Sequence, residues 1–266
     1  MRALPLLLLL IAVLGTSGCG AVDDAKREAD KRIAQIKDKA KEIRKDLEKL
    51  RVVDIRNALP KADEDTEVPR VNLDARLRDP LEDMKQSVAE YWRKTFAAND
   101  LPRPRVNHVF INEGDAVNTA CEDAPADDYA AFYCPADDTI YIGRRIVREV
   151  LEGTGDFGVA YIVAHEYAHN IQQELGWYDE GIRVTTVAPF ELQADCMAGT
   201  WGWAVYVEGR LEPGDVEEAV ATALAVGDFD YTNPQHHGTP DERRAAWLAG
   251  YSSGDPSDCQ RYTRDL

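Results

Sequence analysis

The segment from Phe157 to Leu175 constrains this 266-residue chain more than any other. It is apolar and helix-favouring, and its only carboxylates are Glu166 and Glu174. A helix apolar around most of its circumference has to be wrapped by other elements, so the fold must be built around it. Yet its middle carries His165, Glu166 and His169 in the run VAHEYAHNIQ. Polar groups placed inside such a helix need partners. Positions i and i+4 share a face, so both imidazoles can reach one metal ion, and the carboxylate of Glu166 can reach a water at that ion.

Two histidines leave the site one ligand short. A third histidine further along the same segment would require Gly at 172 and His at 175, and the chain has Gln172 and Leu175. The next apolar helix, expected over 189–208, offers Glu191 and Asp195, one turn apart on one face of APFELQADCMAG. Glu191 is expected to complete the ligand set of one Zn²⁺ per chain, with His108, His236 and His237 as competitors. Asp195 is expected to accept the other N–H of a ligand imidazole and fix its tautomer. His237, just before a helix start, either donates to developing negative charge during catalysis or caps locally. Tyr141 to Gly143 end a strand that is either an edge able to pair with an extended peptide or an ordinary core strand.

The amino terminus reads as export. Arg2 precedes an apolar run from Leu4 to Leu14, too short to span a bilayer and of the length of a signal-peptide core. Gly15, Thr16, Ser17 and Gly18 then lead to Cys19, a lipoprotein-like cleavage site with Cys19 as the lipidated residue. Removing Cys19 leaves four cysteines, which allow three pairings. Cys121 and Cys134 flank one short stretch and are paired on that ground, leaving Cys196 with Cys259; an oxidising compartment suits both bonds.

Residues 1–18 are thus a signal, and 19–56 an anchor and charged helical stalk. Ile33, Ile36, Ala40, Ile43, Leu47 and Leu50 form a seam of under three heptads, enough for a solvated stalk or a short dimeric coiled coil. Residues 57–79, with Pro60, Pro69 and KADEDTE, read as a linker. The folded domain, 80–266, opens on the helix start Asp79-Pro80-Leu81-Glu82. It has short strands at 105–112 and 139–142 and helices at 146–151, 157–175, 189–208, 216–226 and from Thr239 through Trp247. That is an α+β domain, mostly helical with a small sheet. Net charge is -17; residues 1–50 contribute +3, so the rest carries -20 and would repel a phosphate backbone, which excludes nucleic acid as a partner.

HEYAHNIQ and ELQADC, with CPADDTIYIG and GDFGVAYIVAHE before them and LEPGDVEEA and HGTPDERRAAW after, resemble the bacterial neutral zinc metallopeptidase family over roughly residues 80–260. The resemblance implies a zincin-like fold, zinc on His165, His169 and Glu191, Glu166 as catalytic base, and Cys121, Cys134, Cys196 and Cys259 as family-like positions. Two functions follow as expectations. The first is an exported, membrane-anchored peptidase acting on a peptide or protein substrate. The second is a non-catalytic zinc lipoprotein serving as an interaction module.

Overall fold

The computed structural model describes residues 80–121, 124–177 and 184–264. The signal, lipidated Cys19, stalk and linker expected over 1–79 lie outside the described residues. Helix α1 (Pro80–Ala98) begins on the expected proline and buries Leu81, Val88, Trp92 and Phe96 on one face. Strands β1 (Asn107–Ile111), β2 (Ala116–Val117), β3 (Ala126–Asp127), β4 (Ala131–Cys134) and β5 (Thr139–Gly143) follow. Then come α2 (Arg144–Gly153), α3 (Asp156–Glu174), α4 (Ala188–Val207), α5 (Asp215–Ala225), α6 (Pro240–Ser253) and a 3-10 turn at Pro256–Tyr262. Helix dominates and the sheet is small, as an α+β reading requires. No helix among the described residues is long and apolar enough to cross a membrane.

The sheet runs β1-β5-β4, with β1 parallel to β5 and β4 antiparallel to it; β2 and β3 form a separate two-stranded ribbon. This settles the two readings of Tyr141 to Gly143. β5 is the central strand, and all five of its residues are buried, so it cannot offer a free edge to a substrate. Ile140 and Ile142 line one face and Thr139 and Tyr141 the other, all buried, as in a strand covered on both sides. The stretch from Cys121 to Cys134, where no strand was expected, contains β3 and β4.

Helix α3 is the axis. Every residue from Phe157 to Gln172 is buried, as its composition demands. α4 lies against α3, and the most extensive contact among the described elements is α4 with α6. Their backbones nearly touch: a Cβ on Gly199 would come within 2.1 Å of the Trp247 carbonyl oxygen, and one on Gly250 within 1.8 Å of the Cys196 carbonyl oxygen. Only glycine permits that approach, and it brings α6 close enough for a side chain to reach through to α3. Cys196 on α4 is bonded to Cys259 in the 3-10 turn, and Cys121 to Cys134 on β4.

Candidate metal centre

His165 and His169 project from one face of α3, and Glu191 from the first turn of α4 meets them. The His165 Nε2 and His169 Nε2 nitrogens are 3.1 Å apart. Glu191 Oε2 is 3.2 Å from the first, and Glu191 Oε1 is 3.4 Å from the second. Tetrahedral coordination with bonds of roughly 2.0–2.1 Å separates ligand atoms by about 3.3 Å. The three side chains therefore already stand at the spacing zinc requires.

Hydrogen bonding behind the rings sets the same requirement. His165 Nδ1 lies 2.9 Å from Asp195 Oδ1. His169 Nδ1 lies 2.8 Å from Gln172 Oε1. The Gln172 amide donates to the Phe190 carbonyl at 2.8 Å and to Gln193 Oε1 at 3.0 Å, which leaves its oxygen to accept from His169. Gln193 is fixed in turn by donating to Thr263 at 2.8 Å. With both Nδ1 positions donating, both Nε2 lone pairs face one point together with a carboxylate. That is the donor set a divalent cation takes.

The local field favours one. Burial alone would lower the His165 pKa, but Asp195, helped by Glu191, outweighs both burial and Arg243 and lifts it to about 10. Glu191 is driven up by burial, yet His169 and His165 hold it well below the usual carboxylate range. Asp195 is fully buried and still has a lowered pKa, because Arg243 and His165 overcome its desolvation. Arg243 Nε and Nη2 lie 2.8 and 2.9 Å from the two oxygens of Asp195, a bidentate clamp. The Tyr161 hydroxyl donates to Asp195 Oδ1 as well. Arg243 Nη2 also stands 3.3 Å from each ring nitrogen of His165, across the face of the imidazole, and 3.5 Å from Glu191 Oε2.

The residues expected from sequence thus fall into two places. His165, His169, Glu191 and Asp195 meet at the junction of α3 and α4, and Glu166 is buried next to His165 in the chain. The three competing histidines are engaged elsewhere. His108 packs beside Tyr167 and Phe110. His236 Nδ1 sits 2.5 Å from Asp228 Oδ1. His237 is about half exposed, with its backbone N–H donating to Asp228 Oδ2 at 2.9 Å. None of them joins the converging group among the described residues. Gln172, Tyr161 and Arg243 carry parts that the sequence reading did not assign. Gln172 had a usable signal, since it stands three residues after His169 on the same helix; Arg243 had none, being 48 residues from the carboxylate it clamps.

Comparison with known proteins agrees with this arrangement. Residues 74–262 match the sequence profile of the family described as "Putative neutral zinc metallopeptidase". The chain belongs to this family. The uncharacterized protein YpfJ of Escherichia coli K12 is 35% identical over 157 residues, 51% of this chain and 55% of the relative. The uncharacterized proteins Rv2575 of Mycobacterium tuberculosis and Mb2605 of Mycobacterium bovis are each 32% identical over 206 residues, 66% of this chain and 68% of the relative. The chain thus spans about half the length of the E. coli family member. No solved structure matches it significantly.

Proposed function

We propose that the chain is an exported zinc peptidase, tethered to a membrane by lipid on Cys19, that hydrolyses peptide bonds in a peptide or protein substrate. The observation that carries the reading is a centre with three converging protein donors, and the residue next to His165 in the same helix is Glu166, itself buried. A structural zinc site closes with four protein donors and has no use for a base, so an interaction module is the weaker reading. The two cysteine pairs at bonding distance support an oxidising compartment.

His165, His169 and Glu191 would hold the zinc ion, which when bound would supply a Lewis acid for the scissile carbonyl and the attacking water. Glu166 accepts the proton of the attacking water and passes it to the departing amine. Asp195 and Gln172 keep both imidazoles in the Nδ1–H tautomer, with their lone pairs turned inward. Arg243 keeps Asp195 ionised and immobile without adding a fourth donor. In this reading His237, half exposed and outside the converging group, donates to negative charge developing on the carbonyl oxygen.

The decisive experiment is Glu166→Gln. Peptide hydrolysis should fall by at least about 100-fold while zinc remains stoichiometric by metal analysis; hydrolysis at the wild-type rate would sink the mechanism. For the tether, radiolabelled fatty acid should enter the wild-type chain and not Cys19→Ser, and equal labelling of both would remove the anchor.

A further inference from the structure

The loop joining α5 to α6, residues 226–239, carries two aromatic side chains that the fold leaves in solvent. Phe229 is 68% exposed and Tyr231 62%. Single exposed apolar residues are ordinary. These two stand two residues apart on a loop that is stitched to the metal centre at both ends. At its start, the Val226 carbonyl accepts from Arg243, whose other nitrogens clamp Asp195. Near its end, the Pro234 carbonyl accepts from the Val187 N–H at 2.9 Å, and the Val187 carbonyl in turn accepts from the Glu191 N–H at 3.2 Å. Gly238 lies against Leu192, the neighbour of Glu191: a Cβ there would come within 3.1 Å of the leucine.

The loop is also held rigid from inside. Asp228 accepts from the Asp230 N–H at 2.9 Å, from the His237 N–H at 2.9 Å and from His236 Nδ1 at 2.5 Å. The His236 ring, itself buried, packs against Tyr231 with centroids 5.0 Å apart. Asp228 therefore acts as a hub, and through His236 it sets the position of an aromatic ring that stays mostly in solvent. A loop ordered this way at a scaffold's functional edge, presenting rigid apolar surface, is built to contact a ligand.

We infer that the 226–239 loop forms one wall of the substrate cleft, and that Phe229 and Tyr231 are a subsite for a bulky apolar side chain of the bound peptide. The identity of the ligand as a peptide rests on the peptidase reading; the exposed aromatic pair on a loop whose ends are tied to the centre does not. A body carrying -20 between residues 51 and 266 adds a bias against acidic peptides.

The test uses the full, zinc-loaded chain carrying Glu166→Gln, so that binding is read without turnover. Fluorescent peptides differing only in Phe, Leu or Gly at one position are titrated by anisotropy. The Phe and Leu peptides should bind on the order of 10-fold more tightly than the Gly peptide. Adding Phe229→Ser and Tyr231→Ser should bring that ratio close to unity. Val207→Ser, which removes an equally exposed apolar side chain sixteen residues along α4 from Glu191, should leave the ratio intact. A ratio that survives the double substitution, a parent that shows no preference, or a parent that binds no peptide would each overturn the inference. Hydrolysis by the wild type is measured beside it. Loop-dependent binding without any hydrolysis would defeat the peptidase reading and keep the subsite, whereas hydrolysis without loop-dependent preference would do the reverse.

Discussion

His165 and His169 are held from behind by different kinds of group, and the difference has consequences. Asp195 is a buried anion whose charge is balanced by Arg243, while Gln172 is a neutral amide with three hydrogen bonds. Gln172→Ala frees the His169 ring to rotate and should weaken zinc binding by on the order of 10–100-fold, with a modest loss of thermal stability. Asp195→Asn can still accept from His165, but it strands the buried Arg243 charge, a defect that costs about 3–5 kcal/mol. It should therefore weaken zinc binding and lower the melting temperature together. Chelator competition and thermal denaturation of the two variants check this pair; an Asp195→Asn protein as stable as wild type would show that Arg243 does not depend on Asp195. At this scale the converging side chains were legible because they obey helical spacing: His169 is four positions after His165, and Asp195 four after Glu191. Arg243 was not, because its relation to Asp195 exists only once α6 has crossed α4 at Gly199 and Gly250.

At the scale of elements, the helix that carries the metal ligands is capped by another helix. The Phe157 N–H in the first turn of α3 donates to Glu218 of α5 at 3.0 Å. Glu218 stands in a cluster with Asp156 and Asp215, and burial, then Asp156 and Asp215, raise its pKa. A carboxylate with a raised folded-state pKa contributes stability when protonated, and that contribution is lost as pH rises through the shifted value. Near neutrality the charge on Glu218 is therefore a liability, while its oxygen is useful. Glu218→Gln keeps an acceptor for Phe157 and sheds the charge, so it should melt higher than wild type at neutral pH, with the advantage fading in acid near about pH 3. Glu218→Ala sheds the charge but also the acceptor for Phe157, so it should be less stable than Glu218→Gln by about 1 kcal/mol at either pH. Thermal melts of both variants at the two pH values decide it, and a Gln variant less stable than wild type at neutrality would contradict the account. The helices α2 to α5 were readable to within two residues, because apolar periodicity and flanking breakers mark them. α6 runs six residues beyond the expected Trp247, since Gly250 is a crossing point and not a stop. β4 escaped notice because four residues between acidic turns give too short a pattern, and its place is set by pairing with β5.

Across the whole molecule, two covalent ties close loops of very different length. Cys121–Cys134 spans 13 residues and Cys196–Cys259 spans 63. In the chain-entropy account these correspond to about 3 and about 4 kcal/mol, a large share of a typical domain's net stability. Their positions differ as well. Cys134 anchors the β4 edge of the sheet, away from the metal ligands in sequence and in element. Cys196 follows Asp195 directly on α4, and Cys259 carries the turn that leads to Thr263, the acceptor that fixes Gln193 behind Gln172. The long-loop disulfide therefore supports both the global fold and the hydrogen bonds behind His169. Replacing Cys196 and Cys259 by Ser should lower stability by up to about 4 kcal/mol and weaken zinc binding in the protein that remains folded. The same change at Cys121 and Cys134 should cost less stability and leave zinc affinity near wild type. Denaturant unfolding and chelator competition on the two double variants measure both quantities. Equal zinc affinity in the two variants would show that the turn at Pro256–Tyr262 does not communicate with the centre, and an unchanged unfolding midpoint on loss of Cys196–Cys259 would show that the fold holds its carboxy-terminal turn without the bond.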